Sequence, residues 1–153
     1  MALHYPRAVA DIPVVQLDPE LPIPKRARSG DAGVDLLARA GVILPSRGGR
    51  ALVATGIAVE LPDGLAGLVL PRSGLALRHG VTCLNAPGLI DPGYRGEIGV
   101  ILVNTDPTED YEVCRGDRIA QLVLVRFEDA LLAATASLGE SERGVGGFGH
   151  SGT

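Results

Sequence analysis

Apolar residues along this chain come in short runs that are broken at close intervals. VADIPVVQL (9–17), VDLLA (34–38), GVILP (41–45), RALVATGIAVELP (50–62), GLAGLVLP (64–71), GVTCL (80–84), EIGVILVN (97–104), YEV (111–113) and RIAQLVLVRF (118–127) are rich in Val, Ile and Leu. PSRGG, PDG, DPGYRG, NTDPTED and RGD separate them. Short β-forming runs punctuated by turn residues predict an all-β domain: a sandwich, a jelly roll or a barrel. Pro13 would remove a ladder donor, so residues 9–17 are expected at a sheet edge. Only SGLALRHG (73–80) and DALLAATA, near 130, have room for a helical turn or two. GLVL and VILV are apolar at consecutive positions, which predicts burial on both faces. A short chain achieves that more easily against other subunits, so an oligomer is expected.

Composition narrows the choice. Of 153 residues, 21 are Gly and 11 are Pro, a density that excludes a helical bundle, a coiled coil and a βαβ sheet. A hydrophobic content of 46% excludes a disordered chain. The length suits one domain, placed at 1–138, followed by a Gly-rich tail at 139–153 that lacks core periodicity. The net charge is −4, with no basic block, and aromatics make up 3% with no Trp. Neither feature suits a nucleic-acid or membrane surface. Lys25 is the one lysine among 14 basic residues, and arginine forks do suit a small phosphorylated ligand. Cys83 and Cys114 lie in apolar contexts without zinc spacing, and both are expected as buried free thiols in a reducing compartment. No signal-peptide h-region and no apolar run near 18 residues stands out, so a soluble, cytoplasmic protein is expected.

Four segments carry candidate chemistry. Pro71-Arg72-Ser73-Gly74 ends an apolar run and offers an Arg fork, a hydroxyl and backbone N–H groups to an anion, although such a turn is also common structurally. In Asn85–Gly96, Asp91-Pro92-Gly93-Tyr94 fits a type II turn. That turn gathers a carboxylate, a Tyr and an Arg within five residues, with an Asn amide upstream that can match a base edge. Arg115–Gln121 is weaker, since R-G-D turns are frequent. In the tail, Arg143 and an isolated Phe148 either belong to a floppy terminus or order over a ligand as a lid.

Taken in order, SGDAGVDL (29–36), PRSGLA (71–76), NAPGLIDPGYRGEI (85–98), RGDRIAQL (115–122) and RGVGGFG (143–149) resemble the five motifs of the trimeric dUTPase family. The resemblance spans nearly the whole chain. It implies a jelly-roll subunit with very little helix, a homotrimer with active sites at subunit interfaces, and Mg²⁺-assisted hydrolysis of dUTP to dUMP and pyrophosphate. It implies that Asp91 deprotonates the attacking water and that Asp35 holds a water on the metal. Arg72, Ser73 and Gly74 match the phosphate cradle, and Gln121 matches a further phosphate contact. Asn85, Leu89, Ile90 and Gly99 match the uracil reader, and Tyr94 matches the residue under the deoxyribose. Arg143 and Phe148 match the tail residues for γ-phosphate and uracil stacking. The sequence departs from the family's pattern at His150, where Ser or Thr usually follows GFG. A dCTP deaminase resembles this loop but places a second Ser and an Arg after the motif-two Arg, where this chain has Gly-Leu-Ala after Ser73. A catalytically silent nucleotide-binding regulator is opposed by the presence of Asp35, Asp91 and Tyr94.

Overall fold

A computed structural model describes residues 11–145. Among them are eleven strands and one short helix. In chain order the strands are β1 (Val14–Gln16), β2 (Gly33–Leu37), β3 (Val42–Leu44), β4 (Arg50–Ala54), β5 (Ile57–Val59) and β6 (Leu65–Leu70). After α1 (Ser73–His79) come β7 (Val81–Cys83), β8 (Gly88–Ile90), β9 (Gly99–Asn104), β10 (Tyr111–Val113) and β11 (Arg118–Arg126).

All described pairings are antiparallel. A four-stranded sheet runs β2-β11-β6-β8, a three-stranded one β4-β9-β7, and two ribbons pair β1 with β5 and β3 with β10. Among the described residues β1 pairs with β5 alone, as Pro13 predicts. The inward residues of both larger sheets meet in one core, where Leu36, Leu44, Ile98, Leu102 and Ile119 are almost wholly removed from water. Outward positions are less covered. In register across the large sheet, Leu89, Leu68 and Val123 form an apolar row that is exposed at Leu89 and half-buried at the other two. The expectation of two buried faces for GLVL and VILV is therefore not met within one chain: Leu68, Leu70 and Ile101 keep partial exposure.

The helix falls where SGLALRHG predicts it. It ends at Gly80, whose φ of 63° is the left-handed conformation that only glycine adopts cheaply. Arg78 and His79 occupy its last turn, the favourable end for cations. The structure adds detail to the sequence reading and corrects two expectations, a helical turn near 130 and the burial of Cys114. DALLAATA forms no helix; Leu131 and Leu132 are fully exposed, and a short isolated helix with nothing to pack against is not stable in water. The run at 50–62 is two strands, because Gly56 turns the chain with a φ of 76°. The loop at 85–91 contains β8, paired with β6. Cys114 is exposed, and only Cys83 is buried, where desolvation pushes its thiol up to about 11.

Candidate functional site

The residues singled out from sequence fall into two groups at different ends of the large sheet. The first lies on one row, where Asp35 of β2 faces Gln121 of β11, and Gln121 faces Leu70 of β6. Pro71 stops β6 there, and Arg72 follows in extended conformation (φ −95°, ψ 123°) as the N-cap of α1. The Arg72 Nε lies 3.0 Å from Asp35 Oδ1, and Arg72 Nη1 donates to the Arg118 carbonyl at 3.0 Å. Arg118 adds a second, longer ion pair to Asp35 at 3.6 Å. The Gln121 amide donates to the Pro71 carbonyl at 3.1 Å, which ties the strand end to the row. Gly33 makes room for it, since a Cβ there would stand 2.9 Å from Gln121 Oε1. An open cleft of about 290 Å³ borders this row, lined by Ala27, Asp31, Asp35, Leu70 and Gln121 among others. Ser73 and Gly74 begin α1, and the Arg78 guanidinium folds back over Gly74, where a Cβ would meet it at 2.9 Å.

The second group surrounds β8. Asn85 lies in the loop before it, Leu89 is exposed, and Ile90 is buried opposite Gly67. Asp91 follows, exposed, and opens a β-turn closed by the Tyr94 N–H donating to the Asp91 carbonyl at 3.1 Å. The turn is not type II as expected, because Gly93 lacks the positive φ that type requires; Pro at the second position suits type I equally. The Tyr94 hydroxyl donates to the Glu97 carbonyl at 2.9 Å, which lays the ring across Gly96. Gly99 begins β9 opposite Ala54, under the side chain of Leu52. Arg143 lies in the turn near the end of the described residues, and Phe148 and His150 lie outside them.

One chain does not bring the two groups together. Strands repeat at about 4.8 Å and residues at about 3.4 Å. Asp91 follows Ile90, whose partner Gly67 is three residues along β6 from the Leu70 row, and β2 is three strands from β8. That places Asp91 on the order of 20 Å from Asp35 by strand geometry. A larger open cleft, of about 510 Å³ between β3 and β10, is lined by Cys114 and Arg115 but by none of the residues to which the resemblance gives a site role.

Sequence reasoning missed the charged residues that brace these elements. Arg115 bridges Asp18 at 2.6 Å and Glu20 at 3.1 Å, and Arg39 bridges Asp18 at 3.5 Å and Glu97 at 3.2 Å. The hydrogen bond from Arg115, joined by the Glu20 N–H and by the charge of Arg39, holds the Asp18 carboxyl down at about 2 against partial desolvation. Glu97 and Arg115 fall inside the motifs quoted above, but nothing in the spacing marks Arg39 or Asp18.

The donor set bears on a metal. Among the described residues no cluster of three His, Cys, Asp or Glu is placed to hold one. Asp35 and Asp31 are the carboxylates among the residues lining the smaller cleft, a sparse donor set that fits an ion taking most of its ligands from substrate oxygens and water.

Comparison with known proteins agrees with the family resemblance. A family model described as dUTPase matches residues 19–152. The deoxyuridine 5'-triphosphate nucleotidohydrolase of Thermobifida fusca is 54% identical over 141 residues, covering 92% of this chain and 78% of its own. The dUTPase of Staphylococcus bacteriophage 80alpha, solved with dUPNHPP, superposes with a TM-score of 0.84 at 28% identity, over 95% of this chain and 100% of its own. A mutant dUTPase from phage phi11 of S. aureus, whose structure shows the coordination of a structural Mg(II) ion, has the same fold. It superposes with a TM-score of 0.76 at 24% identity, over 86% of this chain and 100% of its own.

Proposed function

This chain belongs to the dUTPase family, it has the family's jelly-roll fold, and it hydrolyses dUTP to dUMP and pyrophosphate; we propose that Asp91 is the base for that reaction. The observation that carries the proposal is the Asp91–Tyr94 turn, whose backbone hydrogen bond fixes the main chain that presents an exposed carboxylate at a strand end. A carboxylate so held accepts a proton from water as the water oxygen attacks the α-phosphorus. The bond from the α-phosphorus to the bridging oxygen then breaks, and pyrophosphate leaves.

The remaining roles follow the same proposal. Arg72, Ser73, Gly74 and Gln121 bind the phosphates, with Arg72 already held in place by Asp35. Asn85 and the backbone of Leu89, Ile90 and Gly99 read uracil, and a ligand lacking the matching polar edge leaves those groups unpaired. Tyr94 lies under the deoxyribose, where its ring leaves no room for a 2′-hydroxyl. Residues 139–153 form a lid over the body at 1–138, with Arg143 on the γ-phosphate and Phe148 on the base. Asp35 would hold Mg²⁺ through water, and the bound ion would neutralise charge on the phosphate oxygens. The wide separation of Asp91 from Asp35 and the outward apolar row through Leu68 and Leu89 both favour a homotrimer with sites between subunits. We place the enzyme in the cytoplasm, where its two free thiols stay reduced.

The test is pyrophosphate release from dUTP, UTP, dCTP and dTTP by the parent and by Asp91→Ala. The parent should turn over dUTP alone at full rate, with no ammonia from dCTP. Asp91→Ala should lose about 10²–10⁴-fold in kcat while still binding dUTP. Turnover unchanged by Asp91→Ala would remove that residue from the chemistry.

A further inference from the structure

The Arg39–Glu97 pair lies outside every role assigned above, yet it ends on a bond that fixes Tyr94. The Tyr94 hydroxyl donates to the main-chain carbonyl of Glu97 at 2.9 Å. The side chain of the same Glu97 accepts from the Gly56 N–H at 2.7 Å and from Arg39 Nη1 at 3.2 and 3.3 Å. Arg39 is itself braced, by the Leu17 carbonyl at 3.2 Å and by Asp18 at 3.5 Å. Gly56 sits at a corner whose left-handed φ of 76° presents its N–H to the carboxylate.

We infer that Glu97 is a positioning residue for sugar selectivity: clamped by Arg39 and the Gly56 N–H, it sets the carbonyl that holds the Tyr94 ring. The inference rests on the reading of Tyr94 as the platform beneath the deoxyribose. Tyr94 is 44% exposed, so packing alone does not fix its ring, and the hydrogen bond to Glu97 is a directional restraint on it. A carbonyl moves with its own residue. Releasing the Glu97 side chain therefore lets the ring drift, and a drift of about 1 Å at a discriminating surface changes rates by one to two orders of magnitude.

The experiment measures kcat/KM for dUTP and for UTP with the full chain, in the parent, Glu97→Ala, Glu97→Gln, Tyr94→Phe and Tyr94→Ala. Glu97→Ala should lower the dUTP-over-UTP preference about tenfold. Tyr94→Phe keeps the ring but not the bond and should match it. Glu97→Gln retains an acceptor for the Gly56 N–H and should recover most of the preference. A merely structural role for Glu97 would reduce both substrates in proportion and leave the ratio unchanged. A preference lost in Tyr94→Ala but held in Glu97→Ala overturns this inference alone; a preference held in Tyr94→Ala overturns the reading of Tyr94 beneath it. If Glu97→Ala does not fold, Glu97→Met, which keeps the side-chain length but offers no acceptor to Arg39 or to the Gly56 N–H, carries the same expectation and the same refutation.

Discussion

Asn104 is fully buried at the end of β9, where a polar side chain is costly unless every group finds a partner. It finds three: its amide donates to the carbonyls of Leu44 at 3.0 Å and Glu109 at 2.8 Å, and its Oδ1 accepts from the Asp106 N–H at 2.9 Å. One side chain thereby latches β3, β9 and the loop that leads to β10. Asn104→Ala leaves the buried Leu44 carbonyl unpaired and releases the part-buried bonds to Glu109 and Asp106, which should cost roughly 2–4 kcal/mol. Thermal unfolding at fixed chain concentration measures it, and a Tm within a degree of the parent would contradict the latch. Neither the composition nor the run EIGVILVN distinguishes this Asn from one in a turn. Its burial depends on partners up to 60 positions away.

Legibility at the scale of elements follows the range of the interactions that make them. Strands β4, β6, β9 and β11 are evident because their apolar runs are local and face a core. Helix α1 is evident because Gly80 ends it. The strand β8 is hidden: three residues inside a loop rich in Pro and Gly acquire strand geometry only by pairing with β6. The charged brace is hidden too, since Arg115 and Asp18 are 97 positions apart. That brace makes the elements around Asp18 acid-sensitive. Its folded-state value, about 2, lies below the ordinary 3.8, so its stabilisation is complete above pH ~4 and is lost as pH falls through about 2. Asp18→Asn should lower Tm at neutral pH and flatten its fall between pH ~4 and ~2. An equally steep fall in the variant would assign the acid response to other carboxylates.

The five motifs are legible in order along the chain, but the fold of one chain leaves the Asp91 turn apart from the Asp35–Arg72 pair. Asp91 and the Asp35–Arg72 pair sit at different ends of one sheet, a distance on the order of 20 Å that no local rearrangement closes. With sites between subunits, two inactive variants should complement each other. Asp91→Ala and Arg72→Ala, unfolded together and refolded, should rebuild about a quarter of the sites from intact halves. Native mass spectrometry should show three chains, and dUTP turnover should return only in the mixture. A mixture as inactive as its parts would mean that each chain carries its own complete site.

The bond from Tyr94 to Glu97 ends on a main-chain oxygen, which every residue type at position 97 supplies. Random substitution can tilt that acceptor but cannot delete it. On the proposed role of Tyr94, a replacement at position 97 therefore weakens discrimination between deoxyribose and ribose by tilting an acceptor that persists. Codon change at position 94, by contrast, removes the hydroxyl in one step.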